Sequence, residues 1–180
     1  MKTYYTVGLF VLTGVILGVG ARAWDVGVRQ RSAGAAEVES GQMVAVGVQG
    51  SDVTGAFDTM SALVGFELKE PSYLPPGNTV TGLSAPPDSH KRAFRYAQVA
   101  INGENGGFML VQTNMPFAVP SRAEALPLSV TGIEGWRMEG PAGRKYYAVS
   151  PNGGFVVQVP MGSALADTDI EKVIHGLLEP

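Results

Sequence analysis

The chain has no cysteine among its 180 residues. That excludes disulfides, thiolate metal sites, cysteine nucleophiles and cysteine-linked lipid anchors. Charge is also sparse, at 16% of residues against the usual quarter. Lys+Arg number 13 and Asp+Glu 16, a formal charge of −3. A nucleic-acid binder carries a strongly basic face, so no nucleic-acid partner is expected. The only histidines are His90 and His175. They are too few for a structural or catalytic zinc site without carboxylates that assemble in space, and no metal is expected.

The motifs of chemistry are missing too. There is no Gly-x-x-x-x-Gly-Lys loop, no Gly-x-Gly-x-x-Gly after a strand, no Gly-x-Ser-x-Gly elbow and no Ser-x-x-Lys. No cofactor is expected. Asp88, Ser89 and His90 are adjacent in sequence and so badly placed to face one another. Asp167, Asp169 and Glu171 alternate like calcium ligands, but Lys172 stands where the calcium loop needs glycine. An enzyme would need Glu134 and Glu139 to converge with a histidine, which spacing does not indicate. The chain is expected to be non-enzymatic, with no catalytic residue.

What is present is apolar. Thr3 to Ala21 is uncharged, flanked by Lys2 and Arg22. As a helix this run spans about 28 Å, close to the hydrocarbon thickness of a bilayer. It has no polar face, so one hydrophobic N-terminal helix is expected at residues 1–24. Two fates compete. As a signal peptide it would be cut after Ala21-Arg22-Ala23. As a single-pass transmembrane anchor it would place Tyr4, Tyr5 and Trp24 at the interfaces. Both place the rest outside the cytoplasm, either membrane-anchored or secreted and periplasmic.

Residues 25–50 are small and polar and read as a flexible linker, with one short strand at Met43–Val48. The extracytoplasmic domain is expected at 51–180. Asp52 is a good N-cap, Phe57, Met60, Leu63 and Val64 follow at helical spacing, and Gly65 can end the helix. Strands are expected at Asn78–Ser84, Arg92–Ile101, Phe108–Thr113, Leu128–Thr131, Ile133–Glu139, Arg144–Ser150 and Phe155–Val159. Pro151-Asn-Gly-Gly154 marks a hairpin. Ile170, Val173, Ile174, Leu177 and Leu178 form the apolar stripe of a closing helix, with Thr168 and Glu171 at capping-box spacing. The expected class is α+β: a curved antiparallel sheet of about six to seven strands, packed with an N-terminal and a C-terminal helix.

Between the first helix and the strands lies Pro71-Ser-Tyr73-Leu74-Pro75-Pro76-Gly77, which must run extended and turn. The order helix, P-x-Y-L-P-x-G, strand resembles a bacterial extracytoplasmic domain of unknown function. That family is related to the lipoprotein-carrier and periplasmic sigma-regulator (LolA/RseB-like) superfamily. Gly135-Trp136, Tyr146-Tyr147, Phe155–Val159 and the last helix extend the likeness over about Val53 to Leu178. The resemblance implies a half-barrel sheet wrapped over helices that binds acyl chains or membrane partners, and it brings no catalytic residues. Only Met1 and Lys2 precede the apolar run, so no inner sigma-binding region is expected.

The motif residues Pro71, Tyr73, Leu74, Pro75 and Gly77 are expected to be structural. A candidate contact surface comprises Lys91, Arg92 and Arg95, which with His90 could meet anionic headgroups. One of Tyr146 and Tyr147 joins it, because strand side chains alternate and only one of the two faces the core. The expected function is binding of a lipid, acyl or peptide ligand. The alternative is a protein-interaction module of an envelope signalling or assembly system. It would meet its partner through strand edges or the Met115–Pro120 loop.

Overall fold

A computed structural model describes residues 43–48, 52–128 and 132–178. The N-terminal apolar run lies outside them. Among the described residues no helix is long and apolar enough to cross a membrane.

The fold is α+β. Strand β1 (Val44–Gly47) leads to helix α1 (Val53–Val64). A meander follows, β2 (Asn78–Ala85), β3 (Tyr96–Gly103) and β4 (Phe108–Thr113). The second meander is β5 (Glu124–Leu126), β6 (Glu134–Gly140), β7 (Gly143–Ser150) and β8 (Gly153–Pro160), and α2 (Asp167–Leu178) closes the chain. All pairings are antiparallel, in the order β1-β2-β3-β4-β8-β7-β6-β5. Strands β1 and β5 are the outer edges, and the two meanders meet in the middle, where β4 pairs with β8.

Eight strands replace the expected six or seven. The short strand expected at Met43–Val48 within the linker is β1, at Val44–Gly47. The strand expected at Leu128–Thr131 is not found in its described part; instead β5 forms earlier, between Pro120 and Pro127. The strand expected from Arg92 begins at Tyr96, because Ser89–Lys91 makes a 3₁₀ turn first.

Side-chain alternation sorts the sheet into two faces. Ala97, Val99, Ile101, Phe108, Leu110, Tyr146, Ala148, Val157 and Val159 face the helices. They bury Ala56, Phe57, Met60 and Val64 of α1, and Ile170, Val173, Ile174 and Leu177 of α2. Val111, Tyr147 and Val156 form a smaller cluster on the outer face, under Phe117 and Val119.

The helix ends follow from local chemistry. The Asp52 carboxylate accepts the Gly55 N–H at 3.0 Å, satisfying an otherwise unpaired donor. Gly65 stops α1 in the left-handed region at φ 71°, which costs glycine nothing. The Arg95 guanidinium also donates to the carbonyls of Val64 and Gly65. The capping box expected of Thr168 does not form, since α2 starts at Asp167 and Thr168 lies in its first turn.

The proline segment is a strap across α2. The Ser72 hydroxyl donates to the Gly176 carbonyl at 3.1 Å, and the Tyr73 hydroxyl to Asp169 at 3.2 Å. A Cβ on Gly176 would stand 2.6 Å from the Ser72 oxygen. Glycine there lets the strap lie directly on the helix backbone.

Candidate functional site

Helix α2 has a depression at each end. Near its N-terminus a pocket of about 400 Å³ is lined by Arg137, Glu139, Arg144, Met161, Ser163 and Asp167, among others. Arg137 pairs with Tyr146 across β6 and β7, and Glu139 with Arg144, so all four project onto the helix face. There they meet Asp167. Arg144 donates to one carboxylate oxygen of Asp167 and to the Leu165 carbonyl. The Tyr146 hydroxyl donates to that same oxygen at 2.6 Å. Arg137 reaches the other oxygen at 2.5 Å and Glu139 at 3.4 Å.

Burial raises the Asp167 carboxyl, but the Tyr146 hydrogen bond and the charges of Arg137 and Arg144 outweigh it, and the group sits below the ordinary aspartate value. Burial first, then the bond to Asp167, raises the Tyr146 phenol. The two arginines are thus matched by two carboxylates. This constellation clamps the start of α2 onto β6 and β7 and leaves no charge over for a ligand.

The groove at the other end of α2 is different. It is an open depression of about 440 Å³ between the segment after α1, the last turn of α2 and the start of β8. Phe66, Ile133, Phe155, Leu177 and Leu178 supply its apolar lining, and Glu67, Lys69, Asn114 and Asn152 its polar rim. Leu177 is fully buried, while the other four are half-buried. One wall is held by Gln112, which is buried on the helix face of β4. Its amide accepts the Lys69 N–H at 2.8 Å and donates to the Lys69 carbonyl at 2.6 Å. A side chain here takes the place of a strand neighbour, and the groove floor has no orphaned polar group at that point.

The expected contact residues do not gather at either place. Lys91 pairs with Asp88 at 3.0 Å. Arg92 is exposed, and Arg95 is spent on the end of α1. Two of the three basic side chains are thus engaged within the domain. Tyr146 faces the helices as part of the main core, and Tyr147 is 6% exposed on the outer face. Burial on both faces removes the expectation that one of the pair is free. Pro71 and Pro75 are buried, Tyr73 and Leu74 half-buried, and Gly77 takes a turn at φ 80°.

Glu134 and Glu139 lie at opposite ends of β6, about 16 Å apart along a strand and on alternate faces. They do not converge. Asp167 and Asp169 diverge too, one to the arginines and the other to Tyr73. Among the described residues no group of metal-ligating side chains assembles. Sequence reasoning missed the groove, because Phe66, Ile133 and Phe155 come from three separate segments. A signal existed for Phe66, a large hydrophobe just past the helix stop. Comparison with family models, curated proteins and solved structures finds no match to this chain.

Proposed function

We propose that this chain is an extracytoplasmic binding domain, tethered or released, that takes an apolar chain into the groove at the C-terminal end of α2. The occupant is an acyl chain or an apolar peptide segment. The observation that supports this is the groove itself, an apolar lining with a polar rim. Its volume falls in the range of small-molecule sites. The half-buried Phe66, Ile133, Phe155 and Leu178 each gain burial when an apolar chain lies against them, at about 25 cal/mol per Å². The carrier-like proline strap supports the same reading, because it sets α2 against the sheet and so frames the groove.

The test is a fluorescence titration of the purified protein with dansyl-undecanoic acid, alongside lipid extraction of the freshly purified chain. The expected result is saturable one-to-one binding that Phe155→Ala weakens about tenfold, since it removes one apolar wall. A non-saturating titration that Phe155→Ala leaves unchanged, with an extract free of lipid, counts against the groove.

A protein partner is the second reading. It rests on the outer sheet face, where half-buried Tyr96, Met109, Trp136 and Met138 surround Phe117 and Val119 of the Met115–Pro120 loop. Aromatic and methionine side chains of this kind are enriched where proteins meet. Alanine at Trp136 that abolishes capture of an envelope protein, with dansyl-undecanoic acid binding intact, would favour this reading.

A further inference from the structure

The two edges of the sheet are finished in opposite ways. Strand β5 is three residues long, contains Glu124, follows Arg122 and is bracketed by Pro120 and Pro127. Short length, charge and proline keep an edge from pairing. Strand β1 has neither charge nor proline: no charged residue lies between Glu39 and Asp52, and no proline either. Met43 is 37% and Val44 40% exposed. Among the described residues no strand lies against the outer side of β1. Its outward N–H and C=O groups form a template for another strand.

We propose that β1 pairs antiparallel with β1 of a second copy, continuing the sheet through a two-fold axis. The sequence of the edge favours a second copy as the occupant. In two-fold pairing a strand meets itself, so any charge on it would approach a like charge. Strand β1 and its flanks are uncharged over the whole run that such pairing would use. Alternation also fits. Val44 and Val46 stand opposite Ala85 and Leu83, on the helix face. A two-fold axis normal to the sheet at Ala45 sets Val44 of each copy opposite Val46 of the other, so the apolar row runs on from copy to copy. On the outer face, Ala45 and Gly47 are small and obstruct nothing. The contact is short, and it makes a weak, concentration-dependent dimer. It does not depend on the groove being occupied.

The absence of native cysteine makes the test clean. Single variants Val44→Cys, Ala45→Cys and Val46→Cys in the full chain are oxidised in the membranes or extracts of expressing cells. Ala125→Cys on β5 is the control. The expected result is a disulfide dimer from at least one β1 position, about tenfold above Ala125→Cys, because only paired strands bring two thiols within bonding reach. Adding Val44→Lys to Ala45→Cys should remove that dimer while circular dichroism and thermal melting show the fold intact. Dimer yields at all three β1 positions no higher than at Ala125→Cys overturn the proposal, whether the edge is open or another segment of the chain covers it. Yields that Val44→Lys leaves unchanged in a folded variant overturn it as well.

Discussion

Helix α2 is gripped by charge at one end and left half-open over hydrophobes at the other. At its start, Arg137, Arg144 and Tyr146 converge on one carboxylate, Asp167. At its last turn, Leu177 is buried but Leu178, Phe155 and Ile133 stay half-exposed around a groove. The difference separates a fastened contact from an open one. A site whose charges are all matched has nothing left for a ligand, whereas apolar surface left unburied lowers its free energy by taking a partner.

The largest way to break this contrast is to remove the clamp. Asp167→Ala leaves Arg144 without a carboxylate partner and Tyr146 without an acceptor, and Arg137 keeps only Glu139. Loss of one member of a buried ion pair costs about 3–5 kcal/mol. The Asp167 side chain is 28% exposed and that of Arg137 36%, so water takes over part of the role and the expected loss is about 2–3 kcal/mol. Urea denaturation measures it. An unchanged midpoint would show that the arginines are not holding α2.

The opposite substitution should change binding more than folding. Leu178→Glu puts a carboxylate at the rim of the groove. It is expected to weaken dansyl-undecanoic acid binding about tenfold while costing about 1 kcal/mol of stability or less. If it unfolds the protein instead, Leu178 belongs to the core and the two ends of α2 are not distinct.

Tyr146→Phe is milder. It removes the hydroxyl that donates to Asp167 but keeps the ring, which is fully buried in the main core. Arg144 and Arg137 still satisfy the carboxylate. The expected loss is about 1 kcal/mol, the net worth of one hydrogen bond, read by urea denaturation with groove binding unaltered.

The two ends were not equally legible in the sequence. Helix α2 was, because Ile170, Val173, Ile174 and Leu177 keep their spacing and all four are buried. So were α1, with Asp52 and Gly65 at its ends, and the hairpin at Pro151-Asn152, which depend on neighbours a few residues away. Strand β5 escaped notice because three residues between prolines give too short an alternation. The clamp escaped for a different reason: Arg137 and Arg144 lie 20 to 30 positions before Asp167, and only the register of β6 against β7 brings them together. In the sequence Asp167 stands out only as one of three alternating carboxylates, a local pattern that says nothing of partners so far away. Gln112 and Lys69 are joined across 43 positions, and no local pattern marks such a pair. Arg95 reads as part of a surface cluster because proximity in sequence suggests a patch even where one side chain turns back to cap a helix.

The finest test of the contrast is its pH dependence, and its sign follows from Asp167. The carboxyl is held below its ordinary value because the charged form gains more from Tyr146, Arg137 and Arg144 than burial takes away. The folded state therefore binds that proton less readily than the unfolded chain does. Its contribution to stability is complete above the unfolded aspartate value of about 3.9 and fades as pH falls through the lower folded value. Asp167→Asn cannot titrate there. The stability difference between wild type and Asp167→Asn should thus be constant from about pH 7 to 5 and shrink below about pH 4. Urea midpoints of the two proteins across that range measure it. Groove binding offers the matching control at the other end of α2. None of Phe66, Ile133, Phe155, Leu177 and Leu178 titrates, so while both proteins remain folded the substitution should leave the affinity for a neutral apolar probe the same at pH 7 and pH 5. A stability gap that widened in acid would mean that burial, not the arginines, dominates at Asp167, and the clamp would then be a strained contact rather than a fastening.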